Sequence, residues 1–365
     1  MGKFFRILWV APEEKGGIRS YTEALWPSMK KAWSGDAMDP VYRLPEIEEL
    51  ERWQPDLIHV QHEFGLFGSK IPGFYQFPAW LKKVRKALPH AKVVATAHSV
   101  LGRDYQYPWR GRGVQAPLRL IANYTAVPLM RRTWLEGTWS KLHGVIVHSK
   151  SQVETVRQAG CQRVSEIPHF VPERSPIYHH EPATPPEILV FGYLTPEKGS
   201  DIAIDAMKHV KVPAKLVMAG GLRRDEDRAY FDLCEQKIRQ NQLSDRVKIT
   251  GFVPSELMDS YFERASLVLV PFRETSGSGS IAQAFSRGAA ILASDLPLNR
   301  EMNLRQPGCV ATFKSEDAED CARQIDRLLN DQEALKALQI NSQAYAEKCT
   351  IDQTIQKHLQ FYRGI

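Results

Sequence analysis

The sequence predicts an α/β protein built from two Rossmann-like, doubly wound domains that face each other across a cleft. Three observations support this prediction. Short apolar runs that suit buried parallel strands alternate with amphipathic helical segments along most of the chain. This alternation stops at residues 171–186, which are rich in Pro, His and Glu, and then starts again. A length of 365 residues also suits two domains of ordinary size.

These observations divide the chain into three parts. We expect an N-terminal domain at residues 1–175, a C-terminal domain at residues 176–345, and a last helix at residues 346–365 that packs back on the first domain. Ligands of open parallel sheets bind beyond the carboxyl ends of the strands. The cleft between the two sets of strand ends is therefore the expected site.

The individual elements follow from apolar runs and from helical spacing of apolar residues. In the first half, strands are predicted at residues 4–10, 57–61, 91–97, 144–148 and 164–167, with a helix at 19–31. In the second half, strands are predicted at residues 187–191, 215–219, 247–250, 267–270 and 290–293. Helices of the second half are predicted at residues 200–209, 225–240, 255–265, 281–287, 317–330, 333–348 and 353–362.

The composition excludes several classes of protein. No apolar run is long enough to span a bilayer, and the apolar start of the chain is too short for a signal peptide. The five cysteines are widely spaced and include no C-x-x-C pair, which is typical of reduced thiols and gives no metal motif. We therefore expect a cytoplasmic protein.

Positive charge is concentrated in the first half of the chain. Residues 1–180 hold 25 Lys and Arg against 16 Asp and Glu, which leaves 23 against 26 for residues 181–365. The two parts therefore carry net charges of +9 and −3. All eight Trp lie at or before Trp139. A basic, tryptophan-rich first half suggests an anionic partner, such as the inner face of a membrane.

Residues 101–140 interleave basic and aromatic side chains. The stretch contains Arg103, Tyr105, Tyr107, Trp109, Arg110, Arg112, Arg119, Arg131, Arg132, Trp134 and Trp139. This pattern suits a phosphorylated acceptor or an anionic bilayer, and a helical segment with a solvated basic face is the equal alternative. Nucleic acid is not expected, because the sequence contains no recognisable nucleic-acid module.

The most informative stretch runs from residue 267 to residue 295. It predicts a buried strand that Pro271 ends, a Ser/Gly loop at residues 274–280, a helix that Gly288 ends, and a further strand. Ser278 and Ser280 are both candidates for the N-cap of the helix. Small side chains let a ligand approach the backbone, and the N–H groups of a first helical turn attract anions. The loop is therefore a candidate phosphate site, although a plain connecting loop fits the same residues.

Several polar residues of the first half follow the ends of predicted strands. A side chain at such a position either faces a ligand or takes part in local packing. Gly16 and Gly17, between the first strand and the first helix, suit an anion site or a tight turn. The strand-end candidates are His62, Glu63, His98 and His169.

The second half contains a series of motifs in a recognisable order. They are FGYLTPEKGSDIAIDAM, KLVMAGG, VKITGFVPSELMDSYFERASLVLVPF and QAFSRGAAILASDLP, within residues 187–300. In this order they resemble the GT-B glycosyltransferases, specifically the large retaining group called family 4. The first half resembles that group through its Gly16-Gly17 loop, the strand that ends at His98, and the segments VIVHSKS and EIPHFVP.

The resemblance implies a nucleoside diphosphate sugar bound mainly by the second domain and an acceptor bound mainly by the first. It implies that Lys198 pairs with the donor diphosphate and that His98 lies close to the reacting anomeric carbon. The implied catalytic residues are His98, Lys198 and Glu274. The implied donor-binding residues are Tyr193, Lys198, Gly220, Phe252, Val253, Arg273, Thr275, Ser276, Gly277, Ser278, Gly279, Ser280 and Gln283. The implied acceptor-binding residues are Gly16, Gly17, His62, Glu63, His98 and His169.

The sequence departs from the family pattern at three positions. Tyr193 stands where the family has an arginine that contacts the diphosphate, and Arg273 is a candidate to supply that contact. The first of two family glutamates falls on Thr275, with Glu274 one residue early. Gln283 occupies the second position, where it can bond a ribose hydroxyl without charge assistance.

Residues and resemblance together predict a retaining glycosyltransferase of polysaccharide or glycolipid assembly. It would move a hexosyl group from the nucleotide sugar to a glycan, a lipid-linked compound or another acceptor, with no cofactor, metal or protein nucleophile. Lys198 and the loop N–H groups would stabilise the leaving diphosphate, and domain closure would exclude water. Two alternatives stay open: a nucleotide-sugar epimerase of GT-B form, or a nucleotide-sugar-binding module without activity.

Overall fold

The computed structural model describes residues 6–14, 16–64, 67, 76–100, 106, 116–128, 137–173, 180–222, 225–275 and 277–365. The chain divides into two compact units. The first unit comprises Met1–Gln106, Asn123–His169 and Ile351–Ile365, and the second comprises Tyr107–Ala122 and Phe170–Thr350.

The first unit contains a parallel sheet in the order β2-β1-β3-β4-β5-β6. Its strands are β1 (Ile7–Val10), β2 (Ala37–Val41), β3 (Leu57–His62), β4 (Lys92–Ala97), β5 (Gly144–Val147) and β6 (Val164–Glu166). The order reverses between β1 and β3, which is the switch point of a flavodoxin-like doubly wound sheet. The sequence pattern does not predict β2, which contains Pro40. Proline is tolerated there because β2 lies at the edge of the sheet.

Helices connect these strands. They are α1 (Gly17–Ala32), α2 (Ile47–Trp53), α3 (Phe77–Ala87), α4 (Ala116–Tyr124) and α5 (Lys150–Gln158). Residues 116–122 of α4 belong to the second unit, although the helix lies between β4 and β5 in the chain. The sequence pattern predicts only α1. The short helices α2 and α5 each begin with a capping box, in which the N-cap and the third helical residue exchange side-chain and backbone hydrogen bonds. These caps are local signals that the apolar spacing alone does not reveal.

The second unit contains a parallel sheet in the order β12-β11-β10-β7-β8-β9. Its strands are β7 (Glu187–Phe191), β8 (Lys215–Ala219), β9 (Val247–Ile249), β10 (Ala265–Val270), β11 (Ile291–Ser294) and β12 (Ala311–Phe313). Numbered from its own first strand, this is the Rossmann order 3-2-1-4-5-6. Its switch point lies between β7 and β10, which pair in parallel.

The helices of the second unit cover both faces of its sheet. They are α6 (Ser200–Met207), α7 (Arg228–Gln240), α8 (Met258–Arg264), α9 (Gly279–Ser286), α10 (Pro297–Arg305), α11 (Ala318–Leu329) and α12 (Gln332–Glu347). Along β10, Leu267 and Leu269 belong to one buried apolar cluster, whereas Val268 and Val270 belong to another. The unbroken apolar run is therefore buried on both faces, as a central parallel strand requires.

A last helix, α13 (Ile351–Arg363), belongs to the first unit. Its fully buried His358 lies beside Trp9 of β1, with ring centroids 6.2 Å apart. Tyr362 of α13 is hydrogen-bonded to Nδ1 of His59 in β3. The prediction of two doubly wound α/β units is confirmed. Within the described part of the chain, no helix has the length and apolar character needed to cross a membrane.

Candidate active site

The candidate site for the donor lies at the switch point of the second unit, where two loops follow neighbouring strands. The loop after β7 begins at Gly192 and leads through a 3-10 turn at Pro196–Lys198 into α6. The loop after β10 begins at Pro271 and leads into α9. Because the chain turns in opposite directions after these two neighbouring strands, the loops diverge and leave room for a ligand.

Backbone contacts hold the two loops together. The backbone N–H of Arg273 donates to the carbonyl of Glu197 at 2.9 Å. Gly199, with φ +62°, approaches so closely that a Cβ atom on it would lie 2.0 Å from the carbonyl oxygen of Pro271. Only glycine satisfies both the backbone angle and this distance. The turn that carries Lys198 is thereby fixed relative to the loop that precedes α9.

Lys198 and Ser280 meet at this point, although they are 82 residues apart in the chain. The Lys198 Nζ donates to Ser280 Oγ at 3.1 Å and lies 5.5 Å from the ring centroid of Phe272. A Cβ atom on Gly192 would lie 2.5 Å from the same Nζ. The structure therefore places the ammonium group between Gly192 and the first turn of α9.

The N-terminus of α9 adds partial positive charge at the same place. Ser278 is the N-cap, and its Oγ accepts a hydrogen bond from the N–H of Ile281 at 3.4 Å. No acidic residue lies in the first turn, and a Cβ atom on Gly279 would have no neighbour within 4 Å. The helix ends before Gly288, with φ +59°, as the sequence predicts. A lysine ammonium beside an open helix N-terminus suits a phosphate group.

Arg273, a candidate for contact with the diphosphate, is bound to two carboxylates in the structure. Its guanidinium donates two hydrogen bonds to Asp201, at 2.9 and 2.8 Å, and one to Glu316 at 2.9 Å. Burial opposes the ionisation of Asp201, but the hydrogen bonds from Arg273 and Tyr230 outweigh it and hold the pKa of Asp201 below its usual range. Arg273 therefore joins the loop to α6 in this structure, and its predicted contact with the diphosphate stays a prediction.

The other predicted loop residues vary in exposure. Glu274 is exposed, and partial desolvation together with the charge of Glu197 raises its pKa. Thr275 donates from Oγ1 to the carbonyl of Gly277 at 3.2 Å and so closes the loop on itself. Tyr193 is half-buried. Ser276, another predicted donor-binding residue, lies outside the described residues.

The loops after β8 and β9 lie next to the switch point. A Cβ atom on Gly220 would lie 1.8 Å from the carbonyl oxygen of Gly192, so that only glycine fits. A Cβ atom on Gly221 would lie 3.0 Å from the backbone N of Phe252. The side chain of Phe252 is 73% exposed, whereas Val253 packs partly against the core. An exposed aromatic ring at this edge is a surface on which a planar base can pack.

The predicted residues of the first unit separate into two groups. His62 is fully buried, with its ring centroid 4.9 Å from that of Phe77 and 5.0 Å from that of Trp139. Burial lowers the pKa of His62 to about 3. It is therefore a neutral core residue, which argues against the predicted contact with an acceptor. Glu63, by contrast, accepts a hydrogen bond from the Ser99 hydroxyl at 2.6 Å.

His98 belongs to a cluster of rings that the sequence only partly indicates. Its centroid lies 4.9 Å from that of Tyr21 and 5.1 Å from that of His148. The His169 centroid lies 5.0 Å from that of Tyr21. Burial, and then the neighbouring His148 and His169, lower the pKa of His98 well below its ordinary value. Tyr21 could not be found from strand ends, because it lies on α1. His148 directly follows β5 and so carries the strand-end signal, but it is not among the predicted site residues.

The Gly16-Gly17 pair marks the start of α1. Gly16 is the N-cap and makes no side-chain cap, and a Cβ atom on Gly17 would have no neighbour within 4 Å. No acidic residue lies in the first turn. The start of α1 therefore resembles the start of α9 in two respects: the first turn has no acidic residue, and a Cβ atom on its first glycine would have no neighbour within 4 Å.

Two further features concern metal ligands and the basic, aromatic segment at residues 101–140. In the described ranges, no group of three or more His, Cys, Asp or Glu is arranged to hold a metal ion. Most of the basic and aromatic residues at 101–140 lie outside the described residues; Trp139 is buried, and Arg119 lies on α4. The exposed face of α4 carries Leu118, Ile121 and Tyr124.

Comparison with known proteins agrees with this architecture. Residues 174–345 match the profile of the family described as "Glycosyl transferases group 1". Among curated proteins, none matches the sequence significantly.

Solved structures share the fold over nearly the whole chain. The structure of Anabaena HepE in complex with UDP and glucose has a TM-score of 0.69 at 15% identity and covers 99% of this chain and 100% of that one. Sucrose-phosphate synthase from Thermosynechococcus elongatus has a TM-score of 0.72 at 16% identity, with 99% and 98% coverage. A glycosyltransferase from Rickettsia africae has a TM-score of 0.69 at 14% identity, with 100% and 99% coverage. At these identities the likeness establishes the two-domain GT-B fold.

Proposed function

Residues 174–345 match the group 1 glycosyltransferase family, and from this match we propose the reaction of the protein. The protein transfers a hexosyl group from a nucleoside diphosphate sugar to an acceptor, with retention of the anomeric configuration. The acceptor is a glycan or a lipid-linked compound of polysaccharide or glycolipid assembly.

The observation that carries this proposal is the contact between Lys198 Nζ and Ser280 Oγ at the N-terminus of α9. In glycosyl transfer, negative charge develops on the leaving diphosphate as the bond to the anomeric carbon breaks. A fixed ammonium and the N–H groups of a first helical turn stabilise that charge more than they stabilise the intact donor. The proposed reaction uses no protein nucleophile.

The nucleoside part of the donor is proposed to bind beside Phe252. The Phe252 ring is exposed, and a Cβ atom on the neighbouring Gly251 would have no neighbour within 4 Å, so that a planar base has room to pack there. UDP is the first nucleotide to test, because the HepE structure, which has the same fold, contains UDP.

Glu274 is proposed to contact the donor sugar. Its raised pKa keeps a larger fraction of the carboxyl protonated than an ordinary glutamate would have at the same pH. A carboxyl group at the loop before α9 can bond sugar hydroxyls as an acceptor, and as a donor when protonated.

In the first unit, His98 is proposed as the residue that orients the reacting groups, with Glu63, His169 and the start of α1 as parts of the acceptor site. A lowered pKa keeps His98 neutral, so that its ring can both donate and accept a hydrogen bond. The acceptor proton passes to an oxygen of the leaving phosphate. No metal ion is required in this scheme, and activity should persist in excess EDTA.

Peripheral membrane binding is proposed for α4. Leu118, Ile121 and Tyr124 are 71%, 60% and 77% exposed, and their spacing of three residues places them on one helix face. Arg119 lies among them, within a half of the chain that carries a net charge of +9. Apolar side chains with flanking arginine suit the interface of an anionic bilayer.

Vesicle sedimentation tests the membrane proposal. The variant with Leu118→Ser and Ile121→Ser should bind vesicles of phosphatidylglycerol and phosphatidylcholine less than the wild type does. Leu304→Ser, which changes a leucine of α10 that is 81% exposed, serves as the control and should bind as the wild type does. Equal binding of all three proteins would contradict the proposal.

The catalytic proposal is tested by incubating the purified protein with UDP-glucose and a panel of glycan and lipid acceptors. Proton NMR of the first product formed should show the anomeric configuration of the donor, and Lys198→Ala should lose most of the activity. New sugar nucleotides formed without an acceptor would indicate an epimerase instead. Nucleotide binding with no turnover on any acceptor would indicate a binding module.

A further inference from the structure

Gln283 lies one helical turn beyond Ser280, on the same face of α9. Its side chain is half-buried and contacts Arg287, which lies four residues further along the chain. The Arg287 Nη1 donates to the side-chain oxygen Oε1 of Gln283 at 2.7 Å. The contact determines which way the Gln283 amide is turned.

An arginine guanidinium has only N–H donors, so the atom of Gln283 that faces it must be the carbonyl oxygen. The amide nitrogen Nε2 is then on the other side of the side chain. The reverse orientation would bring the N–H groups of the amide against those of the guanidinium, so only one orientation of the amide is favourable.

Arg287 is itself held firmly. Its Nε donates to Asp259 Oδ1 at 2.8 Å, and its Nη2 contacts the same oxygen. Nη1 also donates to the carbonyl of Gln283 at 3.1 Å, and the guanidinium lies 4.7 Å from the ring centroid of Phe262. With only 8% of the residue exposed, Arg287 has little freedom to release the amide.

We infer that Gln283 presents N–H donors to the bound nucleotide and therefore recognises a hydrogen-bond acceptor on it, and that Arg287 is the positioning residue that fixes this polarity. The inference rests on the proposed function, because it concerns a ligand at the same switch point. A carboxylate at position 283 would have the opposite preference, since it only accepts hydrogen bonds. The preference for a hydrogen-bond acceptor on the nucleotide therefore depends on both Gln283 and Arg287.

Gln283→Glu tests the polarity with almost no change in shape. Calorimetric titration with UDP in 0.5 M NaCl, which screens added charge, should show a dissociation constant about tenfold higher than that of the wild type. Gln283→Met, which removes the donors without adding charge, should also weaken binding. Gln332→Glu adds the same charge at an exposed position of α12 and should bind UDP as the wild type does.

Two results would overturn the inference while the proposed function stands. One is a Gln283→Glu variant that binds UDP as tightly as the wild type or more tightly, and the other is a Gln283→Met variant with unchanged affinity. Failure of the wild type to bind any of UDP, GDP, ADP and dTDP would instead overturn the proposed function, and this inference with it.

The role of Arg287 has a separate readout. Arg287→Lys keeps a donor-only cation next to the Gln283 oxygen and should largely retain UDP affinity, whereas Arg287→Met should lose it by a similar factor to Gln283→Met. The Gln283→Glu protein should unfold at a midpoint no lower than that of the wild type, because its carboxylate can pair with Arg287. A midpoint well below the wild type, or equal affinities of the Lys and Met variants, would contradict the positioning role.

Discussion

At the scale of single residues, the candidate donor site depends on close approaches that only glycine allows. A Cβ atom on Gly220 would lie 1.8 Å from the carbonyl oxygen of Gly192, which is the first residue after β7. The same Gly192 lies against Lys198 Nζ and Ser280 Oγ. A larger side chain at position 220 would therefore displace Gly192, which lies beside the two residues of the proposed phosphate site.

We predict that Gly220→Ala destabilises the protein and weakens nucleotide binding. Adding a methyl group to a site with no room costs about 1–3 kcal/mol of unfolding free energy, and here the atom in the way is a backbone oxygen that cannot rotate aside. Urea denaturation followed by fluorescence measures the effect. Gly279→Ala is the matched control, because its Cβ would have no neighbour within 4 Å and should leave stability unchanged or slightly higher. Equal stability of Gly220→Ala and the wild type would contradict this account of the loop.

Sequence reasoning at this scale identified the residues with a local signal. Lys198, Ser278 and Ser280 stand in loops whose position after a strand is visible in the chain, and the order of the motifs relates them to one another. The role of Arg273 could not be predicted in this way. Its partners Asp201 and Glu316 are 72 and 43 residues away, and only the folded chain brings them together. His62 illustrates a second difficulty. Its position at a strand end suggests a ligand contact, but the folded chain encloses its side chain in aromatic rings.

At the scale of elements, the last helix is attached to the first unit through buried histidines. His358 of α13 lies 5.6 Å from His59 of β3, measured between ring centroids. Burial lowers the pKa of His358 to about 4. Burial, and then the neighbouring His358, lower the pKa of His59 well below its ordinary value. Both side chains are therefore neutral in the folded protein near neutral pH.

This arrangement predicts a loss of stability in mild acid. The folded-state pKa of His358 is below its unfolded value of about 6.5, so the unfolded chain binds more protons between these two pH values. The contribution of His358 to the free energy of unfolding is fully present above its unfolded pKa. It is lost as the pH falls from the unfolded pKa to the folded pKa, and it changes no further below the folded pKa. The contribution of His358 alone at pH 5 is about 2 kcal/mol.

Denaturation at pH 7.5 and pH 5.0 measures this loss. His358→Phe keeps an aromatic ring beside Trp9 and removes one titrating group, so it should reduce the difference between the two pH values by about 2 kcal/mol. His62 and His148, whose pKa values burial lowers to about 3, should account for part of the remainder. An unchanged pH dependence in the variant would show that His358 does not titrate as described.

Elements differ in how well the sequence predicts them. The strands Glu187–Phe191 and Lys215–Ala219 and most helices of the second half have strong apolar patterns, and the structure places them within a few residues of the predicted bounds. The sequence pattern does not predict α10 or β12. The pattern fails for β2 and α2, which are short and half-exposed. A short edge strand or a short helix buries too few side chains to give the sequence a clear period of apolar residues.

At the scale of the whole molecule, the chain is not divided at one point. It leaves the first unit for residues 107–122, leaves it again after His169 and returns to it at Ile351. The predicted domains, at residues 1–175, 176–345 and 346–365, do not separate the segment at residues 107–122 from the first domain. A composition change marks the crossing after His169, whereas the crossing at Ile351 occurs between two helices of similar composition.

Removal of residues 351–365 should therefore affect the first unit selectively. The truncated protein loses α13, whose buried Ile355, Leu359 and Tyr362 pack within that unit. We expect unfolding in two separate transitions, with the lower one assigned to the first unit by the fluorescence of its tryptophans. UDP binding by the second unit should persist below that transition. A truncated protein that unfolds as the wild type does would contradict the assignment of α13.

We propose that Lys198 and the start of α9 form the diphosphate site of a glycosyltransferase. Calorimetric titration of UDP into the wild type, Lys198→Ala and Lys336→Ala tests this assignment. Lys336 is an exposed lysine of α12 and serves as the control for loss of one positive charge. Lys198→Ala should raise the dissociation constant for UDP about tenfold or more, whereas Lys336→Ala should leave it unchanged. Equal affinity of the wild type and Lys198→Ala for UDP would show that Lys198 does not bind the diphosphate.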